Sequence, residues 1–335
     1  HIYSGSGTVQ LNGGNITGNI FAGSASEDAT TSNIILNGAT VTGDIYGGNG
    51  AKSITESNIT LTSGTLDGTV YGGGNGNTTV GTVNIVLDGA TIISETIYGG
   101  PNVLGTVENA NIDIKSGTLK NVYGGGTQGG TTLNTTVTIE AGATITENVY
   151  GGAHKATIGD EANNSGSTTV NIVGGTINGN VYGGSDTDPV YGTTNINIGK
   201  DAVGDATLTS GEITILGNIF GGGHQDKSVV EDEEEPEDEE IQNFTEVSVT
   251  NGTHINIDGN GTTLNFNGDI FGSGERTTYE GNASMTIKNL GTNANPYFLN
   301  SIQRTGTLTI DNSVLEIIGT SDSSNLNVDA SYTFN

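Results

Sequence analysis

The 335-residue sequence has no cysteine and no tryptophan, and it contains only four prolines. Without cysteine the chain can form neither disulfides nor thiolate metal sites, so its stability must come from packing and backbone hydrogen bonds. The sequence also lacks any apolar run of about 18 residues, the length needed for a membrane-spanning helix. We therefore expect no membrane insertion within this segment.

Basic residues are scarce: nine Lys and Arg stand against 37 Asp and Glu, giving a formal net charge of -28. Because such a surface repels phosphate groups, nucleic acids and anionic membranes are not expected partners. Nine of the 37 acidic residues lie in one run at 231–240, inside a predicted inserted loop at about 228–243. We expect this loop to be extended and solvated, with loose Ca²⁺ binding as the alternative, and we predict no other cofactor.

Glycine is abundant, at 56 residues, and it recurs in a pattern. In this pattern an aromatic residue follows Val or Ile and precedes small residues, mostly Gly-Gly. The aromatic positions are Phe21, Tyr46, Tyr71, Tyr98, Tyr123, Tyr150, Tyr182, Phe220 and Phe271. Successive spacings are 25, 25, 27, 25, 27, 32, 38 and 51 residues, which indicates a repeat protein. We interpret the last interval as two units.

Apolar and polar residues alternate within each unit. In the segment 83–92, Val83, Ile85 and Leu87 are separated by single residues, the period of a strand with one buried face. The same frame returns at 33–41, 58–66, 111–119 and 171–177. Each unit therefore predicts three short strands separated by glycine turns and polar residues.

The predicted fold is all-β: a single-stranded right-handed parallel β-helix, or solenoid, with about 25 residues in each of about twelve turns. We expect one domain over residues 1–335, with less regular turns after 275. We also expect the chain to be a fragment of a larger protein.

The repeat at 70–75 (VYGGGN) and 122–127 (VYGGGT) resembles that of adhesin-like surface proteins of anaerobic bacteria and methanogenic archaea. It is more distantly similar to the pectate-lyase-type right-handed β-helix superfamily. The resemblance implies an extracellular segment, attached to the cell surface or secreted, that serves as a non-catalytic stalk or ligand-binding rod. Its partner would be a host or environmental glycan or a surface protein. Because the superfamily also carries enzymes, the alternative is a polysaccharide lyase or glycoside hydrolase acting on an acidic, plant or host glycan.

The recurrent aromatic residue has two interpretations. Strand alternation points the preceding Val or Ile inward, which turns the ring outward or into the corner of the coil. The rings could form a half-buried stack, with the glycines adopting backbone angles forbidden to other residues. They could instead form an exposed ladder that binds carbohydrate. The candidate ligand-binding residues are Tyr46, Tyr71, Tyr98, Tyr123, Tyr150 and Tyr182.

Histidine and acidic residues occupy the position four residues after the aromatic in several units. These are His154, Asp186, His224 and Glu275. If the loops superpose, Asp186 lies between the two imidazoles. The three side chains could then bind a Zn²⁺-like ion or form a histidine–carboxylate base.

Arg276 follows Glu275, and the resemblance implies that a lyase would pair carboxylate-bound Ca²⁺ with an Arg or Lys base. The candidate catalytic residues are therefore His154, Asp186, His224, Glu275 and Arg276. No matching Asp cluster accompanies them on neighbouring strands, so the sequence favours a non-catalytic role.

Overall fold

The computed structural model describes residues 1–224, 249–275, 282–318 and 326–334. The chain forms a parallel β-solenoid of about 11 turns, with stacked coils about 26 residues apart and almost no helix. The predicted all-β parallel solenoid is therefore confirmed. The acidic loop at 228–243 and the candidate Arg276 lie outside the described residues.

The coils are built from strands of very different length. In chain order they are β1 (Ile2–Tyr3), β2 (Thr8–Leu11), β3 (Asn15–Thr17), β4 (Ile20–Phe21), β5 (Ala29–Thr42), β6 (Ile45–Tyr46), β7 (Ile54–Asp67), β8 (Val70–Tyr71), β9 (Thr79–Asp88), β10 (Thr91–Ile92), β11 (Thr96–Tyr98), β12 (Thr106–Leu119), β13 (Asn121–Tyr123), β14 (Thr131–Ile145), β15 (Val149–Tyr150), β16 (Thr157–Ile158), β17 (Ser167–Ile172), β18 (Gly175–Ile177), β19 (Val181–Tyr182), β20 (Thr193–Ile198), β21 (Ile213–Ile215), β22 (Ile219–Phe220), β23 (Gly252–Asp258), β24 (Leu264–Phe266), β25 (Ile270–Phe271), β26 (Ser284–Lys288), β27 (Tyr297–Leu299), β28 (Ile302–Asp311), β29 (Leu315–Ile317) and β30 (Leu326–Phe334). One short helix, α1 (Lys200–Val203), follows β20.

Several coils merge the first two predicted strands into one. Strand β5 pairs in parallel with β7 along its length, and the register shifts between Leu36 and Thr40, where the sequence predicted a glycine turn. The turn is thus an irregularity inside a continuous strand. The third strand stays separate and short, as in β6, which carries the aromatic residue at its end.

The inward and outward faces of the strands follow the predicted alternation. Ile59 and Leu61 of β7 are fully buried in the central core. On the outer face, the Asn84 amide donates to the Asn58 side-chain oxygen at 2.8 Å, and Asn111 donates to Asn84 at 2.9 Å. These amide ladders satisfy polar groups between coils and fix the register of the stack.

The first glycine after each aromatic residue is required because the neighbouring coil leaves no space for a side chain. A Cβ on Gly124 would overlap the carbonyl oxygen of Gly151 in the next coil. The Thr135 hydroxyl donates to that same carbonyl oxygen at 2.6 Å. Neither Gly124 nor Gly151 has a positive φ. The predicted reason, special backbone angles, is therefore wrong for these glycines, because close backbone approach is what excludes a side chain.

The long last interval is one coil. Phe220 and Phe271 are register partners on adjacent strands, and their ring centroids lie 4.7 Å apart. The interpretation of this interval as two units is wrong, because the extra residues are inserted after the aromatic. Beyond Phe271 the stacking continues with Ile302 paired to Ile270, and Gln303 takes the aromatic position.

Candidate functional site

The recurrent aromatic side chains form one face-to-face column, which we call the aromatic stack. Its members are Tyr3, Phe21, Tyr46, Tyr71, Tyr98, Tyr123, Tyr150, Tyr182, Phe220 and Phe271. Centroid separations run from 4.6 Å for Tyr123 and Tyr150 to 5.5 Å for Tyr71 and Tyr98. At one end the Arg304 guanidinium lies 4.5 Å from the Phe271 centroid, a cation–π contact. At the other end Tyr3 is 48% exposed.

The interior rings of the aromatic stack are largely buried. Tyr123 is 7% exposed and Tyr150 is 3% exposed, whereas Tyr71 and Tyr98 are half-buried. Both faces of each interior ring are covered by neighbouring rings. The six candidate ligand-binding tyrosines, from Tyr46 to Tyr182, therefore cannot offer a ring face to a sugar. Ligand binding through ring edges or hydroxyls stays a prediction.

The tyrosine hydroxyls are held in the neutral, donating form. Burial raises the pKa of Tyr98 to about 12, and it also raises the pKa of Tyr123 and Tyr150. The Tyr46 hydroxyl, for example, donates to Asp44 Oδ2 at 2.9 Å. The Tyr182 hydroxyl likewise donates to Glu275 Oε2, whereas the Tyr150 hydroxyl accepts from the Asn148 amide at 3.4 Å.

The loops that follow the aromatic residues superpose from coil to coil. The backbone N–H of Asp186 donates to the Ala153 carbonyl at 2.8 Å, and that of His224 donates to Ser185 at 2.9 Å. This register brings His154, Asp186 and His224 together, with Asp186 in the middle, as the repeat spacing predicted.

Asp186 is the shared acceptor of both imidazoles. The His154 Nδ1–H donates to Asp186 Oδ2 at 2.6 Å, and the His224 Nδ1–H donates to Oδ1 at 2.7 Å. Burial opposes the charge, but these two hydrogen bonds outweigh it and lower the pKa of Asp186 to about 2. Asp186 is therefore ionised at neutral pH and fixes the orientation of both rings.

Glu275 extends the cluster along the next coil. The Tyr182 hydroxyl donates to Glu275 Oε2 at 2.5 Å, and His224 Nε2 lies 3.8 Å from that oxygen. Four of the five candidate catalytic residues therefore lie together, and Arg276 is outside the described residues. The four side chains and Tyr182 are called the Asp186 cluster below.

The Asp186 cluster is hydrogen-bonded rather than arranged around an ion. Nitrogen–oxygen separations of 2.6 and 2.7 Å leave no room for a metal between donor and acceptor. Across the described residues, no group of three or more His, Cys, Asp or Glu is placed to share one metal ion. What the cluster can do chemically is present a carboxylate-oriented imidazole, the arrangement of a general base.

Sequence reasoning missed a pair of carboxyl groups, Asp113 and Glu140. Glu140 is 1% exposed, and its Oε2 accepts the Thr209 N–H at 2.6 Å. Burial, the hydrogen bond with Glu140 and the charge of Glu140 raise the pKa of Asp113 to about 7, although Lys115 opposes the shift. Asp113 is the register partner of Thr138, and Glu140 lies two residues further along the same strand. Counting one 25-residue coil from Asp113 is therefore the signal that could have placed the two carboxyl groups near each other.

No protein family, curated protein or solved structure matches this chain. In the part of the chain that the structure describes, no helix has the length and apolarity to cross a membrane. The role of the solenoid must therefore be inferred from its geometry and its repeat.

Proposed function

We propose that this chain is a non-catalytic rod segment of an extracellular, adhesin-like surface protein, attached to the cell or secreted. The observation that carries the proposal is the aromatic stack from Tyr3 to Phe271. It adds a second column of packed side chains beside the aliphatic core and joins successive coils from Tyr3 to Phe271. A solenoid with two such columns resists bending and local fraying, which suits a stalk that displays or contacts a ligand.

Charge and composition support an exposed setting. With 37 acidic and nine basic residues, the rod is strongly anionic, which favours solubility and discourages lateral association of like-charged rods. The ligand that we infer is a glycan or a surface protein, in keeping with the resemblance of the repeat to adhesin-like proteins.

A polysaccharide lyase or hydrolase is the second candidate, and one observation favours it: Asp186 orients two imidazoles. Against it, both Asp186 oxygens are occupied by the histidines, and Glu275 accepts from Tyr182. The groups that would move protons are thus hydrogen-bonded mainly to one another.

The experiment that separates the two candidates measures retention and cleavage on the same protein. The purified chain is applied to immobilised neutral and acidic glycans, and soluble polysaccharides are assayed for new reducing ends or unsaturated products. We expect no products. Products that disappear in Asp186→Asn, but persist in the exposed control Asp67→Asn, would overturn the non-catalytic role.

A further inference from the structure

The solenoid carries a groove beside its first long coil. From Tyr150 to Tyr182 the spacing is 32 residues, compared with 25 to 27 in the preceding coils. The extra residues form a loop that closes on itself, since the Asp160 N–H donates to the Ser165 carbonyl at 2.7 Å and the Ser165 N–H returns a bond at 3.2 Å. Asp160 and Glu161 of this loop form one wall of the groove. Insertions into a repeat are where solenoids commonly place binding surfaces.

The floor of the groove is a column of threonines. Thr106, Thr131 and Thr157 are register partners on three successive coils. Their spacing is therefore that of neighbouring parallel strands, about 4.8 Å. None of the three hydroxyls hydrogen-bonds to another side chain or carbonyl of the described residues, so each remains available to a ligand.

Tyr191 forms the remaining wall of the groove, and its backbone is anchored to the neighbouring coil. Its backbone N–H donates to the Ile158 carbonyl at 2.9 Å. The preceding Val190 is fully buried in a small apolar cluster with Ile158 and Val249. The backbone that carries the ring is thus held in place before any ligand arrives, which lowers the entropic cost of binding.

The groove lining selects one chemical class of ligand. Thr106, Thr131, Leu133, Thr157, Gly159, Asp160, Glu161 and Tyr191 enclose about 390 Å³. That volume falls within the usual range of small-ligand sites, roughly 300 to 1,000 Å³. Hydroxyls and carboxylates can accept hydrogen bonds from a polyol, and an aromatic ring can contact a sugar face.

The charge of the lining excludes other ligands. Asp160 and Glu161 bring two carboxylates into the groove, and none of the described residues that line it is Lys or Arg. Uronates, sulfated sugars and phosphates would be repelled. For an apolar ligand, the described lining offers one aliphatic side chain, that of Leu133.

We propose that this groove binds a neutral saccharide unit, through the threonine column, the side chains of Asp160 and Glu161, and Tyr191. The proposal rests on the proposed surface role and adds to it a site and a sugar class. It places recognition away from the aromatic stack, in a groove that has the loop at 160–165 as one of its walls.

Isothermal titration calorimetry of the full chain tests the proposal, with neutral gluco-, galacto- and manno-oligosaccharides and with oligogalacturonate as the anionic comparison. We expect a neutral oligosaccharide to bind. Tyr191→Ala should weaken its binding about tenfold or more, and Thr131→Val should weaken it roughly threefold or more. The matched controls are Tyr3→Ala at the end of the aromatic stack and Thr91→Val, exposed on another coil, and both should bind as wild type does.

Thr131→Val keeps a β-branched residue of the same size, so it remains informative if Tyr191→Ala folds poorly. The groove proposal is overturned if no neutral sugar binds, if oligogalacturonate binds more tightly, or if both groove variants bind as well as wild type. These outcomes differ from the failure of the surface role, which would show as polysaccharide cleavage. If the groove variants retain glycans as well as wild type does, the groove is not the binding site. The proposed role as a rod is unaffected by that result.

Discussion

The rings of Tyr150 and Tyr182 stack with centroids 4.8 Å apart and planes 6° apart, and both are almost completely buried. Their separation equals the spacing of neighbouring parallel strands, about 4.8 Å. The backbone pairing of Val149 with Val181 therefore sets the ring stack, and the rings in turn stabilise that pairing. Changing a ring should consequently affect the whole rod, which the first prediction tests.

Tyr150→Ala should lower the free energy of unfolding by about 3 to 5 kcal/mol, the usual cost of deleting a buried aromatic ring. Tyr150→Phe keeps the ring and should cost about 1 kcal/mol or less. Urea unfolding followed by circular dichroism gives both values. Tyr3→Ala removes a half-exposed terminal ring and serves as the control. A loss in Tyr3→Ala as large as that in Tyr150→Ala would show that burial within the stack is not the source of the stability.

Gly124→Ala should destabilise the solenoid because the new Cβ would overlap the Gly151 carbonyl oxygen. Overpacking of this kind costs about 1 to 3 kcal/mol, and here the obstructing atom is backbone that cannot rotate away. Gly13→Ala is the matched control, since Gly13 has no positive φ and a Cβ added there would meet no atom within 4 Å. Thermal melting of both variants measures the difference. A Gly124→Ala protein as stable as Gly13→Ala would contradict the close-approach explanation.

The solenoid could be predicted from sequence because its signals are local and repeated. The strand alternation in 83–92 and the Val-Tyr-Gly-Gly frame recur at nearly constant spacing, so pairing partners follow from counting residues. The same counting placed His154, Asp186 and His224 in one line.

Residue spacing does not predict the pairing of strands where the length of the coil changes. The length of the 51-residue interval predicts two units, whereas the pairing of Phe220 with Phe271 shows that the interval is a single coil. The groove depends on an inserted loop folding back beside Thr131, and the exposure of each ring depends on how neighbouring loops cover it. Both are packing properties that no local pattern encodes.

Asp186→Asn should destabilise the protein at neutral pH, because the variant loses the charge that accepts both imidazole N–H groups. The pKa of Asp186 is lowered in the folded state to about 2, so its stabilisation is present above the unfolded pKa and is lost as pH falls towards about 2. We expect a loss of about 1 kcal/mol at pH 7, after allowance for solvent screening.

Urea titrations near neutral pH and in strong acid test the Asp186 prediction, with Asp67→Asn as an exposed control. The difference in free energy of unfolding between wild type and Asp186→Asn should become smaller in acid, because protonated Asp186 is uncharged, as the asparagine of the variant is at every pH. If the difference in free energy of unfolding stays constant from neutral pH to acid, the effect of the substitution is steric rather than electrostatic.

Asp113→Asn should stabilise the protein at alkaline pH. The pKa of Asp113 is raised to about 7 by burial and by Glu140, so the folded state binds this proton more tightly than the unfolded chain does. Wild-type stability should therefore fall as pH rises from about 4 to about 7, whereas the variant avoids this loss. The asparagine can also donate a hydrogen bond to Glu140. We expect a gain of about 1 kcal/mol at alkaline pH, limited by solvent screening and by loss of the Lys115 contact.

The gain in stability of Asp113→Asn should vanish near pH 4, where wild-type Asp113 is protonated. Thermal melts across this range measure it, with Asp67→Asn as the control, and an Asp113→Asn protein that is less stable than wild type at pH 8 would show that the two carboxylates do not repel each other in the folded state.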